Sequence, residues 1–549
     1  MKKLLSEFID SIEYTLTLCD GTPDAGVVLS SIQVDSLVFD SRHVKPGSLF
    51  FALPGTHTTG NKFIANAVNN GAVAVVYEGD FTEEEKCGIS EACSGKTVAF
   101  IKVNSSRFAM SPLSASFYDN PSKKLVVYGV TGTEGKSSTV AFIWQLLRLA
   151  GYKAGFISTV QYSLGGDAIA NPEHQTTPEA PIVQRELHEM LENGCTHAVV
   201  ESSSHGLSEK TNRLGDVLFD CGAFMNVTLE HLEFHGTYEQ YKSDKANLFR
   251  ALDRHDHMKS IAGKETQVAS LGIVNLEDPA ATYFAQCTGN KVIGFTTEGK
   301  AGKNAEDASM TLPEIPAGMP CCKALDIAST STGIVFELSF EGKTTQVKAP
   351  VPGAFNAYNI MTAILAVSGT TGKSVEELAA LCEKLESVKG RMTVVDEGQP
   401  FEVIVDYAHT PSSFETIFPP VRKRCSGKMI CVFGSGGERD TKKRPMQGEI
   451  AARFCDYVIL ANEDPRGEDE MALLEDIAVG SRKAGKKDGE NLFLIPDRPA
   501  AIRKAFSLAK EGDIVLLLGK SHENSIIFKD HIMPYDEISE AKKALEELK

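Results

Sequence analysis

The sequence predicts an α/β fold made of three domains. The chain has 549 residues, too many for one hydrophobic core when domains of roughly 100–200 residues are typical. Short apolar runs alternate with helical stretches, the pattern of a parallel sheet covered by helices on both faces. A glycine-rich loop also joins one apolar run to a helix, as in α/β domains that bind phosphate groups. Boundaries near residues 125 and 388 divide the chain into the three domains.

The first segment, residues 1–125, predicts a small mixed α/β domain. Turn signals such as Lys45-Pro46-Gly47 separate its apolar runs, and short runs bounded by turns are typical of strands. The expected strands are 37–39, 49–51, 73–77 and 100–103.

The second segment, residues 126–388, predicts a parallel-sheet domain around the glycine-rich loop. A strand at 125–128 leads into the loop, and a helix is expected from about 137 to 150. Further buried strands are expected at 198–200, 223–227 and 272–275. Residues 296–324 are rich in Gly, Lys, Ala and Pro, so we expect a surface excursion there.

The third segment, residues 389–549, predicts a second doubly wound unit of the Rossmann type. Its expected strands, with helices between them, are 403–406, 429–433, 457–460 and 514–518. Ligands in such sheets bind at the carboxyl ends of the strands, where several of the motifs below fall.

Composition excludes several classes of protein. A net charge of −17 argues against a general nucleic-acid binder. No apolar run approaches the roughly 20 residues that cross a bilayer, and acidic residues interrupt the apolar stretch at the amino terminus, unlike a signal peptide. The twelve cysteines are scattered, as expected for unpaired thiols in a reducing compartment. We therefore expect a cytoplasmic monomer acting on small molecules.

The glycine-rich loop spans residues 129–138. Its glycines would let backbone N–H groups turn toward a phosphate at the start of a helix. Lys136 can reach the β- and γ-phosphates of a nucleotide, and the Ser137 hydroxyl can bind Mg²⁺. Val130 stands where the standard loop has glycine, which leaves a ligand-free turn as the alternative. The candidate nucleotide-binding residues are Gly132, Thr133, Gly135, Lys136, Ser137 and Ser138.

Downstream of the loop, three more residues are candidates for metal or substrate chemistry. Glu201 ends a predicted strand, and a buried carboxylate at a strand end suits Mg²⁺, which prefers oxygen ligands. Residues 226–249 then carry His231 and Lys245. Taken singly, His231 reads as a capping or core histidine and Lys245 as a surface lysine.

Together with the loop, these segments resemble the Mur ligases, which build the peptide stem of bacterial peptidoglycan. The segments 201–205, 231–237 and 245–249 follow the loop in the family's order. The likeness is greatest to members that add a diamino acid as the third residue of the stem. The resemblance implies an ATP- and Mg²⁺-dependent ligase that activates a carboxylate as an acyl phosphate and joins it to an amine.

The resemblance also implies catalytic roles. Ser137 and Glu201 would hold a first Mg²⁺, and His231 would contact a second. Lys245 would be carbamylated by CO₂, because an unmodified ammonium would repel the metal. Lys136 would neutralise charge on the transferred phosphate. Glu134 stands where the family usually has Asn, and a carboxylate there would be repelled by a triphosphate.

For the substrates, the resemblance points to residues in all three segments. Ser41 and His57 match the uridine-binding domain. Thr176, Thr177, Ser203 and Arg213 are candidates for binding the muramyl peptide. Asn226, Asn356, Arg391 and Asp406 would complete the ATP site, with Asn356 toward adenine, Arg391 toward phosphate and Asp406 toward the ribose hydroxyls.

The acceptor amino acid would be read by the third segment. Residues 463–466, Glu-Asp-Pro-Arg, match the stretch that selects meso-diaminopimelate in the family. The planar fork of Arg466 suits a distal carboxylate, which diaminopimelate has and lysine or ornithine lacks. Diaminopimelate is favoured, with lysine, ornithine and a sulfur analogue of diaminopimelate left open. The implied acceptor residues are Arg439, Asp464, Arg466, Gly519 and Glu523.

Two other readings remain at this point. The first is a related ligase, such as a folylpolyglutamate synthase or another Mur step, against which the Asp40-Ser-Arg42 turn and the 463–466 stretch argue. The second is an inactive nucleotide-binding scaffold, which only Glu134 favours. ATP turnover that depends on both substrates separates a ligase from a scaffold.

Overall fold

The computed structural model describes residues 1–24, 26–55, 59–171, 175–228, 230, 232–297, 318–330 and 332–548. The chain forms two compact units. The first unit comprises Met1–Thr131, Tyr152–Gly222 and Lys242–Ser270, and the second comprises Gly132–Gly151, Ala223–Tyr241 and Leu271–Lys549. Residues 132–138 of the glycine-rich loop therefore belong to the same unit as the C-terminal segment, although most of the middle segment separates them in sequence.

The N-terminal segment is the mixed α/β domain that the sequence predicts. Its elements are β1 (Lys3–Leu4), β2 (Thr15–Thr17), β3 (Gln33–Val34), β4 (Ser36–Val38), β5 (Ser48–Phe51), α1 (Ile64–Asn69), β6 (Ala72–Tyr77), α2 (Glu83–Ala92), β7 (Ala99–Lys102) and α3 (Ser106–Phe117). The main sheet has the order β2-β7-β6-β5-β4, with β2 antiparallel to β7 and the other pairs parallel. All four predicted strands are present to within two residues at each end.

The middle segment alternates strands and helices. Its elements are β8 (Val126–Thr131), α4 (Lys136–Leu149), β9 (Ala154–Ile157), β10 (Gln161–Ser163), β11 (Ile169–Ala170), α5 (Ala180–Glu192), β12 (His197–Glu201), α6 (Ser204–Leu207), β13 (Cys221–Phe224), α7 (Leu232–His235), α8 (Tyr238–Ala251), β14 (Met258–Ile261), β15 (Lys264–Gln267), β16 (Leu271–Asn275), α9 (Ala281–Ala285), β17 (Lys291–Thr296), β18 (Cys321–Ser329), β19 (Ile334–Phe340), β20 (Lys343–Ala349), α10 (Asn356–Thr371) and α11 (Val375–Leu381). In the first unit β12 lies between β8 and β9 and is parallel to both. All residues of these three strands are buried, as expected for parallel strands covered on both faces.

In the second unit, the expected surface excursion is shorter than the sequence indicates. Strands β16, β17 and β18 are parallel, and β19 and β20 continue the sheet as antiparallel strands. The expectation for 296–324 was wrong at its end, since β18 begins at Cys321. Cys322 and Ala324 are buried while their neighbours are less so, and the Pro- and Gly-containing residues that precede them obscured this period of two. Residues 298–317 lie outside the described residues.

The C-terminal segment is the predicted doubly wound unit. Its elements are β21 (Thr393–Val395), β22 (Glu402–Asp406), α12 (Pro411–Arg424), β23 (Met429–Phe433), α13 (Lys443–Phe454), β24 (Tyr457–Leu460), α14 (Glu470–Lys483), β25 (Leu492–Leu494), α15 (Arg498–Leu508), β26 (Ile514–Leu518), β27 (Ser525–Ile527), β28 (Ile532–Pro534) and α16 (Glu537–Glu546). The sheet has the order β21-β22-β26-β23-β24-β25, and only β21 is antiparallel. The carboxyl ends of β22, β26, β23 and β24 therefore meet at one edge of the sheet.

Apolar clusters cover both faces of this C-terminal sheet. Leu516 and Leu518 pack in one cluster, whereas Val515 and Leu517 pack in the other. This alternation along β26 is what a strand buried on both faces requires. Among the described residues, no helix is both long and apolar enough to cross a bilayer.

Candidate active site

The glycine-rich loop connects β8 to α4 in the predicted order of strand, loop and helix. Gly135 precedes α4 with a φ of 82°, a left-handed conformation that glycine adopts without strain. A Cβ at this position would lie 2.8 Å from Asn359 Oδ1, so a side chain does not fit. The first turn of the 14-residue helix α4 then offers its N–H groups and the positive end of its dipole to an anion.

Asn226 fixes the shape of this loop. Its Oδ1 accepts hydrogen bonds from the N–H groups of Thr133, at 3.0 Å, and Glu134, at 2.8 Å. Its Nδ2 donates to the carbonyl of Glu134 at 3.3 Å. The Thr133 hydroxyl lies 3.0 Å from that of Tyr241. Asn226 was predicted as an ATP ligand. In the structure its side chain stabilises the loop that would bind ATP.

Arg391 brings a guanidinium from the C-terminal segment to the loop. Its Nη2 donates to Ser137 Oγ at 3.3 Å, and its guanidinium stacks on the ring of Tyr407 at 4.7 Å. Its Nε is buried and has no hydrogen-bond partner among the described residues. Lys136 Nζ meanwhile donates to the carbonyl of Thr133 at 2.8 Å. Two cations and the largely buried hydroxyls of Ser137 and Ser138 thus lie at the start of α4.

Asp406 ends β22 and holds the turn that carries Arg391. One carboxylate oxygen accepts from the N–H of Met392 and the other from the N–H of Ala408, both at 2.8 Å. Burial raises the pKa of Asp406, while Arg391 and the backbone N–H groups oppose the shift. Each carboxylate oxygen can accept a second hydrogen bond, as the predicted contact with a ribose requires.

Asn356 links helix α10 to α4. Its Nδ2 donates to the carbonyl of Pro352 at 2.6 Å, and its Oδ1 accepts from Asn359 Nδ2 at 2.8 Å. Asn359 in turn accepts a hydrogen bond from Thr139 Oγ1 at 3.1 Å. The predicted contact of Asn356 with adenine stays a prediction.

In the first unit, Glu201 is joined to two of the residues predicted to bind the muramyl peptide. Its buried carboxylate accepts hydrogen bonds from the hydroxyl of Ser158 and from the N–H of Thr159, the latter at 3.0 Å. Its carbonyl accepts from Thr177 Oγ1 at 2.7 Å, and that oxygen accepts from the N–H of Ser203 at 3.0 Å. Thr176 is the half-buried neighbour of Thr177.

Arg213 extends this network to a residue that the sequence did not single out. Its Nη1 donates to the carbonyl of Thr177 at 2.8 Å, and its Nη2 lies 3.0 Å from Glu179 Oε1. The other oxygen of Glu179 accepts from Arg107 Nη1 at 2.6 Å. Arg213 Nε is buried without a hydrogen-bond partner in the described part of the chain. Two guanidiniums around one carboxylate leave a net positive charge, which suits an anionic substrate.

The predicted uridine site rests on a short turn at 40–42. The Asp40 side chain accepts from the N–H of Arg42 at 2.9 Å, and its hydrogen bonds to the Arg42 guanidinium lower the pKa of Asp40 to about 2. Ser41 is buried, with its hydroxyl 3.4 Å from Asn66 Nδ2 and its carbonyl 3.2 Å from Asn70 Nδ2. His57 lies outside the described residues.

Lys245 is almost completely buried, with 2% of its surface exposed. It lies on α8 beside the equally buried Asp244. Lysines are rarely buried to this extent unless they are paired or modified, so the expected surface lysine is excluded. Its predicted neighbour in the metal site, His231, lies outside the described residues.

At the edge of the C-terminal sheet, Lys520 joins two of the predicted acceptor residues. Its Nζ lies 2.8 Å from Asp464 Oδ1 and 2.5 Å from Glu523 Oε2. The hydroxyl of Tyr407 donates to Glu523 Oε1 at 3.3 Å. We call Asp464, Arg466, Lys520 and Glu523 the acceptor cluster. Tyr407 thus contacts both Arg391 and this cluster. Neither Lys520 nor Tyr407 was predicted, although both lie inside motifs that the sequence analysis used.

Arg466 and Gly519 complete this acceptor cluster. Arg466 has a φ of 53°, and its N–H donates to the carbonyl of Ile527 at 2.9 Å. Its Nη2 lies 3.9 Å from Asp464 Oδ2, and its Nε is buried without a hydrogen-bond partner among the described residues. A Cβ at Gly519 would lie 2.6 Å from Glu463 Oε1. Arg439, the remaining candidate, is exposed.

Comparison with known proteins identifies the family. Models for the Mur ligase family catalytic domain, the Mur ligase middle domain and the Mur ligase glutamate ligase domain match residues 33–118, 130–367 and 390–521. The chain belongs to the Mur ligase family. It is therefore an ATP-dependent ligase that forms carbon–nitrogen bonds, and its three-domain architecture is that of the family.

Relatives with similar sequences span nearly the whole Mur ligase chain. It is 52% identical to the UDP-N-acetylmuramyl-tripeptide synthetase of Treponema denticola, over 99% of this chain and 98% of the relative. It is 48% identical to the protein of that name from Treponema pallidum, over 94% of each chain. It is 35% identical to the UDP-N-acetylmuramoyl-L-alanyl-D-glutamate–2,6-diaminopimelate ligase of Geobacillus kaustophilus, over 93% of this chain and 95% of the relative.

Solved structures support the same fold. A UDP-N-acetylmuramoyl-L-alanyl-D-glutamate–2,6-diaminopimelate ligase superposes with a TM-score of 0.58 at 25% identity, over 96% of this chain and 97% of the other. A MurF ligase from Thermotoga maritima in complex with ADP superposes with a TM-score of 0.59 at 19% identity, over 94% and 99%. The second likeness shows the fold alone.

Proposed function

We propose that this Mur ligase adds a diamino acid to UDP-N-acetylmuramoyl-L-alanyl-D-glutamate, with ATP activating a carboxylate of this substrate as an acyl phosphate. The observation that carries the proposal is the contact of Arg391 with Ser137, at 3.3 Å. It brings the C-terminal segment, which holds the acceptor cluster, onto the loop that would hold the ATP phosphates. The names of the relatives supply the substrate class.

Each of the residues proposed to hold Mg²⁺ is, by itself, a suitable ligand for it. The Ser137 hydroxyl and the buried Glu201 carboxylate are both hard oxygen donors, the kind that Mg²⁺ prefers. When bound, the ion would neutralise charge on the transferred phosphate. Lys136 and Arg391 add positive charge at the same phosphates from the protein itself, and such preorganised charge is the main catalytic device in phosphoryl transfer.

The chemistry then runs in two steps. A substrate carboxylate oxygen attacks the γ-phosphorus of ATP, giving an acyl phosphate and ADP. The amine of the acceptor attacks the carbonyl carbon of the acyl phosphate, and the tetrahedral intermediate collapses with loss of phosphate and a proton. The acyl phosphate would be lost to hydrolysis in water, so the site has to exclude solvent between the steps.

Lys245 would act as a carbamate in this reaction. Reaction of its amine with CO₂ replaces a buried ammonium, 2% exposed, by an anion with two oxygens. Such an anion can approach a divalent metal that an ammonium would repel. We expect Lys245→Ala to abolish ligation nearly completely and added short-chain carboxylates to restore part of it. Wild-type activity in the variant would remove the carbamate from the mechanism.

The acceptor cluster favours an amino acid with a distal carboxylate. Lys520 lies between Asp464 and Glu523, and the buried Nε of the Arg466 guanidinium has no hydrogen-bond partner among the described residues. A carboxylate can accept two parallel hydrogen bonds from such a fork. We therefore propose meso-diaminopimelate, or a sulfur analogue with the same two ends, over lysine or ornithine.

Phosphate release from ATP tests the proposal. The protein would be assayed with UDP-N-acetylmuramoyl-L-alanyl-D-glutamate and, in turn, meso-diaminopimelate, its sulfur analogue, L-lysine and L-ornithine. Release that requires both substrates, and is fastest with an acceptor that has two carboxylates, is the expected result. Release with lysine or ornithine alone would overturn the assignment of Arg466, and binding of ATP without turnover would favour the scaffold.

A further inference from the structure

Glu134 belongs to the glycine-rich loop, which we call the phosphate loop. Its side chain nevertheless forms a hydrogen bond with the C-terminal segment. Its backbone is held by Asn226 as described above. Its Oε1 accepts a hydrogen bond from Thr410 Oγ1 at 3.1 Å, across 276 positions of sequence. Thr410 is 8% exposed, so this bond is largely shielded from water. The loop therefore carries a direct link to the C-terminal segment at a position where the family pattern has Asn.

Thr410 is a rigid partner for this bond. It caps α12, its Oγ1 accepting from the N–H of Ser413 at 3.0 Å. It also follows Asp406 by only four positions, and Asp406 holds the turn of Arg391 through the N–H of Met392. The distance between Glu134 and Thr410 thus helps to set where Arg391 and Asp406 stand relative to the phosphate loop.

The charge of Glu134 is compatible with a nucleotide in this loop. Burial raises its pKa to about 7, with Glu230 acting in the same direction and with Thr410, Lys136 and Ser412 opposing. A large share of the side chain is therefore neutral near pH 7. A neutral carboxyl group can accept the Thr410 hydrogen bond without repelling a triphosphate, as the amide of Asn would.

We propose that Glu134 is a positioning residue whose hydrogen bond to Thr410 holds the C-terminal segment on the phosphate loop, so that Arg391 and Asp406 are in place before ATP binds. The inference rests on the proposed ATP site and assigns one more residue to it. Preorganisation of this kind increases affinity, because the ligand no longer has to order the groups that bind it.

A matched pair of substitutions at Thr410 isolates the bond. The side chains of Asn and Asp have nearly the same shape as each other, and both cap a helix well. The variants Thr410→Asn and Thr410→Asp therefore differ mainly in charge and in hydrogen-bond donors. The amide of T410N can donate to Glu134, whereas the carboxylate of T410D cannot donate and repels the charged form of Glu134, which predominates above its pKa of about 7. We therefore expect T410D, measured at pH 9, to weaken binding of a non-hydrolysable ATP analogue about tenfold, and T410N at the same pH by no more than about threefold. Equal midpoints of thermal unfolding would show that the cap is intact in both.

A rescue experiment makes the test specific for Glu134. In the double variant E134Q/T410D, the new amide can donate to the new carboxylate, so affinity for the analogue should return to within about threefold of the wild type. A change in the KM for ATP with a smaller change in kcat is expected throughout, since the bond acts before chemistry. Equal affinities of T410D and T410N, or no rescue in E134Q/T410D, would overturn the proposal.

Lys136→Ala separates failure of this inference from failure of the ATP site. If K136A loses the analogue while T410D binds it normally, the link is wrong and the ATP site stands. If K136A binds the analogue as the wild type does, the assignment of the loop itself is wrong, and the link with it.

Discussion

Two buried charge clusters of this Mur ligase look alike in composition and differ in how their polar atoms are used. The first, in the first unit, is formed by Asp220, His255, His257 and Lys259. The second, in the second unit, is the acceptor cluster of Asp464, Arg466, Lys520 and Glu523. Each contains a buried aspartate paired with a buried lysine. Among the described residues, only the second contains a buried nitrogen without a hydrogen-bond partner.

In the first cluster each of these ions has partners within the protein. Asp220 Oδ1 lies 3.0 Å from His257 Nδ1, and its Oδ2 lies 2.9 Å from Lys259 Nζ. Lys259 also donates to the carbonyls of Ser122 and Leu218, at 2.7 and 2.9 Å. A carboxylate beside two histidines has the composition of a metal site. Here, however, the carboxylate of Asp220 forms an ion pair with the fully buried ammonium of Lys259. This cluster serves the fold.

In the acceptor cluster the buried Nε of Arg466 has no hydrogen-bond partner among the described residues, and neither has the buried Nδ1 of His522, which lies between Lys520 and Glu523 in the sequence. Leaving such donors or acceptors unpaired costs about 1–3 kcal/mol each. A ligand that satisfies them recovers that cost, and this difference between the clusters supports the proposal that the second one binds the acceptor. Substitutions at Asp220, Arg466 and Glu463 test this distinction, and a fourth, at Arg107, tests a charged network outside both clusters.

The largest effect is expected from Asp220→Asn. Loss of the carboxylate leaves the fully buried Lys259 without its counter-charge, which should lower the free energy of unfolding by about 3–5 kcal/mol. Denaturant unfolding of the whole protein measures this loss of stability. The KM values of the folded variant for its substrates should not change. A stable variant with altered KM for either substrate would give this cluster a functional role.

Arg466→Ala should act in the opposite way. It removes the proposed partner of a distal carboxylate, and we expect kcat/KM for meso-diaminopimelate to fall about 30- to 160-fold, the loss of about 2–3 kcal/mol of charged hydrogen bonding. Arg466→Lys, which keeps the charge and loses the fork, should recover only part of the activity. Loss of folding stability instead of activity would make the two clusters equivalent.

The pH dependence of stability distinguishes the clusters through Glu463, which borders the acceptor cluster. Burial raises its pKa to about 7, with Glu523 acting in the same direction, from an ordinary value of 4.5. Between pH 4.5 and 7 the folded state therefore binds more protons than the unfolded state, so this contribution to stability falls as pH rises through that window.

Substitution Glu463→Gln should remove this contribution. As the pH rises from 5 to 8, the free energy of unfolding of the variant should increase by about 1–2 kcal/mol relative to that of the wild type. Denaturant unfolding at each pH measures this difference. The same pH-dependent difference between the wild type and E463Q in the presence of saturating acceptor would show that the acceptor does not reach this residue.

The smallest effect is expected from Arg107→Ala. Arg107 bonds to Glu179 and acts on the substrate only through Arg213, so KM for the UDP-substrate should rise about tenfold, equivalent to about 1.4 kcal/mol, with KM for ATP unchanged. Arg107→Lys should restore most of the affinity. An equal rise in both KM values would indicate a general loss of structure.

The parts of the site that lie on one continuous stretch were predictable. Gly135, Lys136 and Ser137 follow from the order of strand, loop and helix, because the geometry of a helix start depends on neighbours in sequence. The strand ends at Glu201 and Asp406 follow from apolar runs of the right length. The end of the excursion at 324 was wrong, because the Pro- and Gly-containing residues before β18 obscured the start of this strand.

By itself the sequence determined the α/β class, the positions of most strands, the phosphate loop and the family, since all of these depend on local order and spacing. Only the tertiary structure decided that Arg107 meets Glu179, that Thr410 meets Glu134 and that Lys520 meets Asp464. These pairs are separated by 72, 276 and 56 positions. Local propensity carries no information about such pairs, because a hydrogen bond between distant residues forms only after the packing of the sheets has brought its two atoms within about 3 Å.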